Sequence, residues 1–328
     1  MHKRWLFVAL QSAVTVALLA FFFHDAEFRR QALDAFRHAH PGWLVAGVLI
    51  AGAENMIGAA RWRIFLRMLE IEVPFWKAVQ VCLVALFCNT FLLGAAGGDL
   101  VRAAYLIRRG AGKTHAFLSV ILDRVSGLAA LIAYTAGLAA MNYEWLMRSP
   151  KVALMLKFVI AYQVGCALLI LGALYVSVRG LTNHLPRWAP FPEFVRKMGA
   201  GYARMYFQWG KSLGAAGLSF VMLAAYFAVF FCSARAFGLN ISFLHLATIM
   251  PMADMISALP ISIGGMGVRE QVFVFLLGQL TASPTAQAVS ISLVGYFLNI
   301  SWGIVGAAIL PLYKGLVREA RTASPTAE

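Results

Sequence analysis

Gly94-Ala-Ala-Gly-Gly-Asp-Leu-Val-Arg102 and Leu259-Pro-Ile-Ser-Ile-Gly-Gly-Met-Gly-Val-Arg-Glu270 are two glycine-rich breaks in a chain that otherwise reads as apolar helix. A helix broken inside lipid frees backbone N–H and C=O groups that hydrocarbon cannot satisfy. Such a break persists only where it lines a cavity or is buried in protein. Each break carries an acid and an arginine within a few residues, and paired breaks of this kind point to a transport site.

The surroundings of the breaks agree. Of 328 residues, 61% are hydrophobic and only 13% charged, against roughly a quarter charged in a soluble domain. Mean hydropathy is +0.75. Apolar stretches close to the ~20 residues needed to cross a bilayer recur over the whole length, at 5–23, 42–60, 115–140, 152–178, 213–236 and 285–311. Two more, 75–95 and 243–260, run into the breaks and are followed by shorter helical stretches, 99–109 and 268–280. Segment 25–40 is amphipathic and reads as interfacial. Residues 1–23 imitate a signal peptide, but the apolar run is long and no small-residue cleavage site follows, so a retained anchor is expected.

Basic residues set the orientation, because cytoplasmic loops collect Lys and Arg. They cluster in 61–77, in 179–211 and after Lys314. Placing these three clusters and Lys3-Arg4 in the cytoplasm requires 75–109 and 243–280 to be re-entrant hairpins that dip in from opposite faces. The expected fold is therefore all-α and polytopic, with six full spans plus two hairpins. It forms a single transmembrane domain over 1–328, with 75–140 and 243–311 as two hairpin-plus-span units in an inverted-topology repeat.

Several residues can carry chemistry. Asp99 and Arg102 begin the short arm after the first tip, where Gly97, Gly98 and the helix N-terminus favour an anion. Asp99 is also a good N-cap or a proton carrier. Asp123 and Arg124 lie about nine residues into a span, roughly 13 Å deep. Neighbours in sequence do not face each other on a helix, so each needs its own partner, such as Arg102 or Glu270. At the second tip, Gly264, Gly265 and Gly267 permit backbone conformations closed to other residues and close approach by a ligand; Arg269 and Glu270, which follow, either bind substrate or form an ion pair that seats the hairpin. Arg61 and Arg63 flank Trp62 and read as an interface anchor. Asp254 sits in the second hairpin's apolar arm.

Other chemistries lack support. Ile107-Arg-Arg-Gly-Ala-Gly-Lys-Thr114 imitates a phosphate-binding loop, but Ile107 stands where glycine is required and no strand precedes it. The four cysteines show no metal spacing, and hydrolase or metalloprotease motifs are missing. No cofactor, metal or nucleic acid is expected despite a net charge of +14, which reports topology and contact with anionic lipid surfaces.

Gly97-Gly98-Asp99-Leu-Val-Arg102, Asp123-Arg124 and the stretch from Leu259 to Glu270 resemble the lysylphosphatidylglycerol synthetase transmembrane family, the flippase-like half of the bacterial multiple peptide resistance factor. The resemblance covers nearly the whole chain; Leu93 stands where the family usually carries proline before the first tip. The family's lipid-aminoacylating activity belongs to a separate soluble domain. The sequence stops at Glu328, so a stand-alone transmembrane member is expected. What the resemblance implies is a multi-pass protein of the bacterial inner membrane, with cytoplasmic termini, that translocates an anionic or polyprenyl-linked lipid and is not an enzyme. The residues it would use are those named above: Gly97, Gly98, Asp99, Arg102, Asp123, Arg124, Gly264, Gly265, Gly267, Arg269 and Glu270. A membrane-embedded lipid-modifying enzyme, or an accessory subunit of an envelope-biosynthesis enzyme, remain open alternatives.

Overall fold

A computed structural model describes residues 30, 35, 37–92, 97–181, 192–258 and 265–322, and all regular structure among them is helical. Helix α1 spans Pro41–Met68, α2 Phe75–Phe87, α3 Gly97–Arg108, α4 Lys113–Met141 and the short α5 Tyr143–Leu146. Helices α6 (Pro150–Val178), α7 (Pro192–Phe207), α8 (Trp209–Ala236) and α9 (Phe243–Ser257) follow. The order closes with α10 (Val268–Thr281), α11 (Thr285–Ile300) and α12 (Trp302–Thr322).

Helices α1, α4, α6, α8 and the run Thr285–Tyr313 are 28 or 29 residues long and apolar enough to cross a membrane. At ~1.5 Å per residue each is about 42 Å long, which exceeds the ~30 Å hydrocarbon core. They are five of the six expected spans. The sixth, 5–23, most of 25–40, and the tips with Gly94 and Gly264 lie outside the described residues.

One boundary moves with consequence. The span expected at 42–60 continues to Met68. Nothing between Ala60 and Met68 breaks a helix; the next proline is Pro74. Arg61 therefore stands two turns inside α1, not at its end.

Two shorter apolar helices, Phe75–Thr90 and Phe243–Ser257, lead toward the breaks, as expected. Helices α2 and α3 pack on each other, and so do α9 and α10. Helix α2 ends in a π-helical stretch, Cys88–Leu92, a widened turn that often marks a functional site.

The chain divides into two compact units. The first comprises Ala53–Ile132, Gln163–Leu223 and Trp302–Glu328, and holds the α2–α3 pair. The second comprises Met1–Gly52, Ala133–Tyr162 and Ala224–Ser301, and holds the α9–α10 pair. Lipid tails are as apolar as leucine, so close packing and polar pairing decide helix association in a bilayer. In the first unit α12 packs along α2, with Gly306 against the Leu83 carbonyl. There Trp62, Leu66, Val84, Leu106 and Tyr313 form a core. Gly98 brings α3 onto α2 so closely that a Cβ there would stand 2.6 Å from the Ala85 carbonyl oxygen. In the second unit Phe230 packs between Tyr226 and Phe273, ring centroids 5.2 and 5.8 Å away.

Candidate functional site: two buried charge clusters

The first unit carries five charged side chains in strict alternation. Arg61 Nε donates to Asp123 Oδ1 and Arg102 Nη1 to Asp123 Oδ2, both at 2.8 Å. Arg102 Nη2 donates to Asp99 Oδ1 at 2.7 Å, and Arg124 reaches Asp99 Oδ2 through Nε at 3.0 Å and Nη2 at 2.9 Å. The series runs Arg61–Asp123–Arg102–Asp99–Arg124, from buried to open. Side-chain exposure is 5% at Asp123, 24% at Asp99 and 56% at Arg124.

Four elements hold this series. Helix α1 supplies Arg61, α3 supplies Asp99 and Arg102, and α4 supplies Asp123 and Arg124. Helix α8 contributes Ser219, whose hydroxyl accepts from Arg61 Nη1 at 3.2 Å and pairs with Ser126 at 2.9 Å. The Arg102 guanidinium also lies 5.6 Å from the Trp62 ring, a cation–π contact. The Asn89 side chain in the π-helical stretch accepts from the Gly98 N–H at 3.4 Å, fixing the start of α3. A cavity of about 240 Å³ opens onto the series, with Glu54, Cys82, Asn89 and Gly98 also in its wall. Its wall thus holds three arginines and three carboxylates. Charges so placed in a membrane protein are costly, and they persist where they pair with each other and serve a function.

The second unit carries a different arrangement. Gly265 and Gly267 have φ of +75° and +85°, a region that favours glycine. They turn the chain into α10. The Glu270 carboxylate accepts from the Gly267 N–H and, at 2.7 Å, from the Ser292 hydroxyl. Among the described residues it pairs with no arginine. The expected ion pair at Glu270, with Arg269 or Arg124, is therefore not met among the described residues: Glu270 closes the first turn of α10 and ties it to α11. Arg269 is only 9% exposed, and among the described residues its Nε and Nη1 have no hydrogen-bond partner. Its guanidinium sits 4.9 Å from the Tyr296 ring. Asp254 accepts from Tyr226 at 2.8 Å.

Gly97, Gly98, Asp99, Arg102, Asp123 and Arg124 thus come together in the first unit, and Gly265, Gly267, Arg269 and Glu270 in the second. Gly264 lies outside the described residues. Sequence reasoning missed Arg61, which is 6% exposed and is a member of the series, not an interface anchor. Its signal was the absence of any helix breaker after Ala60. Asn89, Ser219, Tyr226 and Ser292 were also missed; single polar residues in apolar helices gave no pattern to read. Among the described residues no group of three or more His, Cys, Asp or Glu side chains is placed to hold a metal ion.

The sequence profile of the lysylphosphatidylglycerol synthase TM region matches residues 8–306. The chain belongs to that family. It is a multi-pass membrane protein by its family and its helices. No curated protein matches the chain.

Proposed function

We propose that this member of the lysylphosphatidylglycerol synthase TM region family moves a lipid with an anionic phosphate headgroup, a phospholipid or a polyprenyl-linked lipid, between leaflets. The observation that carries the reading is the charge series open to the 240 Å³ cavity. Its accessible end is an arginine held by a carboxylate. A phosphate offers arginine the same bidentate geometry as a carboxylate. It takes the place of Asp99 on Arg124 and Arg102, while Arg61, Asp123 and Arg102 keep the inner pairs. Asp99 is thereby displaced from both arginines, which couples headgroup binding to a rearrangement of the series. Within the second unit, Arg269 offers a phosphate contact of its own, since among the described residues its Nε and Nη1 have no hydrogen-bond partner.

In this reading the α2–α3 and α9–α10 pairs are re-entrant hairpins of an inverted repeat, entering from the cytoplasmic and outer faces of a bacterial inner membrane. The distribution of Lys and Arg along the chain supports that orientation. The protein acts as a transporter without a cofactor.

The test is leaflet-to-leaflet movement of labelled phosphatidylglycerol, phosphatidylcholine and polyprenyl phosphate in proteoliposomes, for wild type, Asp99→Asn and Arg269→Ala. Movement of a phosphate-bearing anionic class, lost in Arg269→Ala and changed in rate in Asp99→Asn, is expected. Wild-type movement in both variants would overturn the assignment of these residues, and no movement of any class by wild type would overturn transport.

A further inference from the structure

A second cavity, of about 450 Å³, lies wholly within the second unit, and no residue of either charge cluster lines it. It is an open groove between α6 and the α9–α10 pair, lined by Leu154, Phe158 and Tyr162 from α6 and by Met255 and Phe275 opposite. Among the described residues lining it, Lys151 alone is charged.

Three features decide what it holds. First, α6 is the least buried of the long helices, with 17% of its apolar stretch inside the protein. Leu154, Phe158 and Tyr162 are exposed by 55%, 69% and 57%. On a membrane-spanning helix, that surface meets lipid. Second, the cation sits at one end. Lys151 is in the first turn of α6, and a helix of 29 residues outruns a ~30 Å hydrocarbon core, so its first turn falls at the level of lipid headgroups when the helix spans. Exposed Arg148 precedes it by three residues. Third, the lining runs along α6 from Lys151 to Tyr162, eleven residue steps. At ~1.5 Å per residue that is roughly 16 Å, about half of a ~30 Å hydrocarbon core and so the depth of one leaflet.

An apolar slot one leaflet deep with a lysine at its interfacial end matches one occupant. We propose that this groove binds an anionic glycerophospholipid, its phosphate on Lys151 and one acyl chain along Leu154, Phe158 and Tyr162. Met255 and Met155 in its wall are flexible and fill gaps around chains of different shape, so the groove reads headgroup charge and not chain identity. The inference goes beyond lipid movement. It assigns a standing lipid site that exists whether or not the protein transports.

The full chain is reconstituted in phosphatidylcholine vesicles carrying a trace of phosphatidylglycerol or of phosphatidylcholine with a photoreactive diazirine in the acyl chain. Adducts are mapped by peptide mass spectrometry. Expected are adducts on Phe158, Met255 and Phe275, several-fold more from phosphatidylglycerol than from phosphatidylcholine. Lys151→Ala brings the two probes to parity at the same residues. Lys157→Ala, an exposed lysine of α6 outside the groove, keeps the preference. Leu154→Trp fills the slot and cuts adducts several-fold. Adducts spread evenly over exposed Leu168, Leu169 and Leu171, or a preference that survives Lys151→Ala, would reduce the groove to ordinary lipid contact and overturn the proposal. A disulfide-linked dimer of Phe158→Cys in a background without other cysteines, with adducts lost, would assign the groove to a second copy and overturn it too. None of these readouts depends on lipid movement, so the site and the transport reading fail separately.

Discussion

Asp123 Oδ2 accepts from Arg102 Nη1 at 2.8 Å, and this bond joins the middle of the long helix α4 to the short helix α3 that follows the first glycine break. The other oxygen of the same carboxylate accepts from Arg61 on α1 at the same distance. One side chain that is 5% exposed thus ties three helices together.

Asp123→Asn leaves Arg61 and Arg102 buried without a full counter-charge. Breaking a buried ion pair from one side costs about 3–5 kcal/mol. Thermal unfolding of the purified protein in detergent is expected to show a large fall in midpoint. An unchanged midpoint would mean that water or lipid already shields these arginines.

Arg269→Met tests the opposite case. Among the described residues its Nε and Nη1 have no acceptor; burying such groups costs about 1–3 kcal/mol, and the Tyr296 ring offsets only part of it. The variant is expected to unfold at the same temperature as wild type or higher. Added phosphatidylglycerol should raise the midpoint of wild type by more than that of the variant. A destabilised variant would make Arg269 a structural residue.

Glu270→Ala should cost about 2–4 kcal/mol, because it strands the Gly267 N–H and the Ser292 hydroxyl together. A double-mutant cycle with Ser292→Ala should return a coupling energy of about 1–3 kcal/mol. Additive effects would show that the 2.7 Å bond carries no stability.

Gly98→Ala and Gly137→Ala should differ in sign. A Cβ at Gly98 meets the Ala85 carbonyl oxygen and forces α3 off α2, costing about 1–3 kcal/mol. At Gly137, inside α4, no atom lies within 4 Å of the added Cβ. Alanine is the better helix former there by about 1 kcal/mol. Thermal midpoints of the two variants, measured side by side, check both.

Much of the fold was legible because hydropathy and length carry it. The spans expected at 115–140, 152–178 and 213–236 coincide with α4, α6 and α8 to within a few residues. Arg102 is the expected partner that Asp123 has, because helix rise alone gives depth and only a few charges share that depth. Glu270, the partner expected for Arg124, was misread because its own partner is a serine 22 residues away on another helix. A serine in an apolar helix looks the same whether or not it serves a carboxylate. Arg61 was misread for a related reason. An arginine beside tryptophan at the end of an apolar window resembles an anchor until the helix is seen to continue. The rule that failed is the one that treats the end of the hydrophobic stretch as the end of the helix.

Cys82 stands in the wall of the charged cavity and is a free thiol. The protein therefore contains its own reporter at the place where a headgroup would enter. Only a hydrated thiol reacts readily with a water-soluble maleimide, so the labelling rate of this one native residue measures how often the cavity is wet. Comparing reagent added inside and outside sealed vesicles turns that rate into a record of which compartment the water came from.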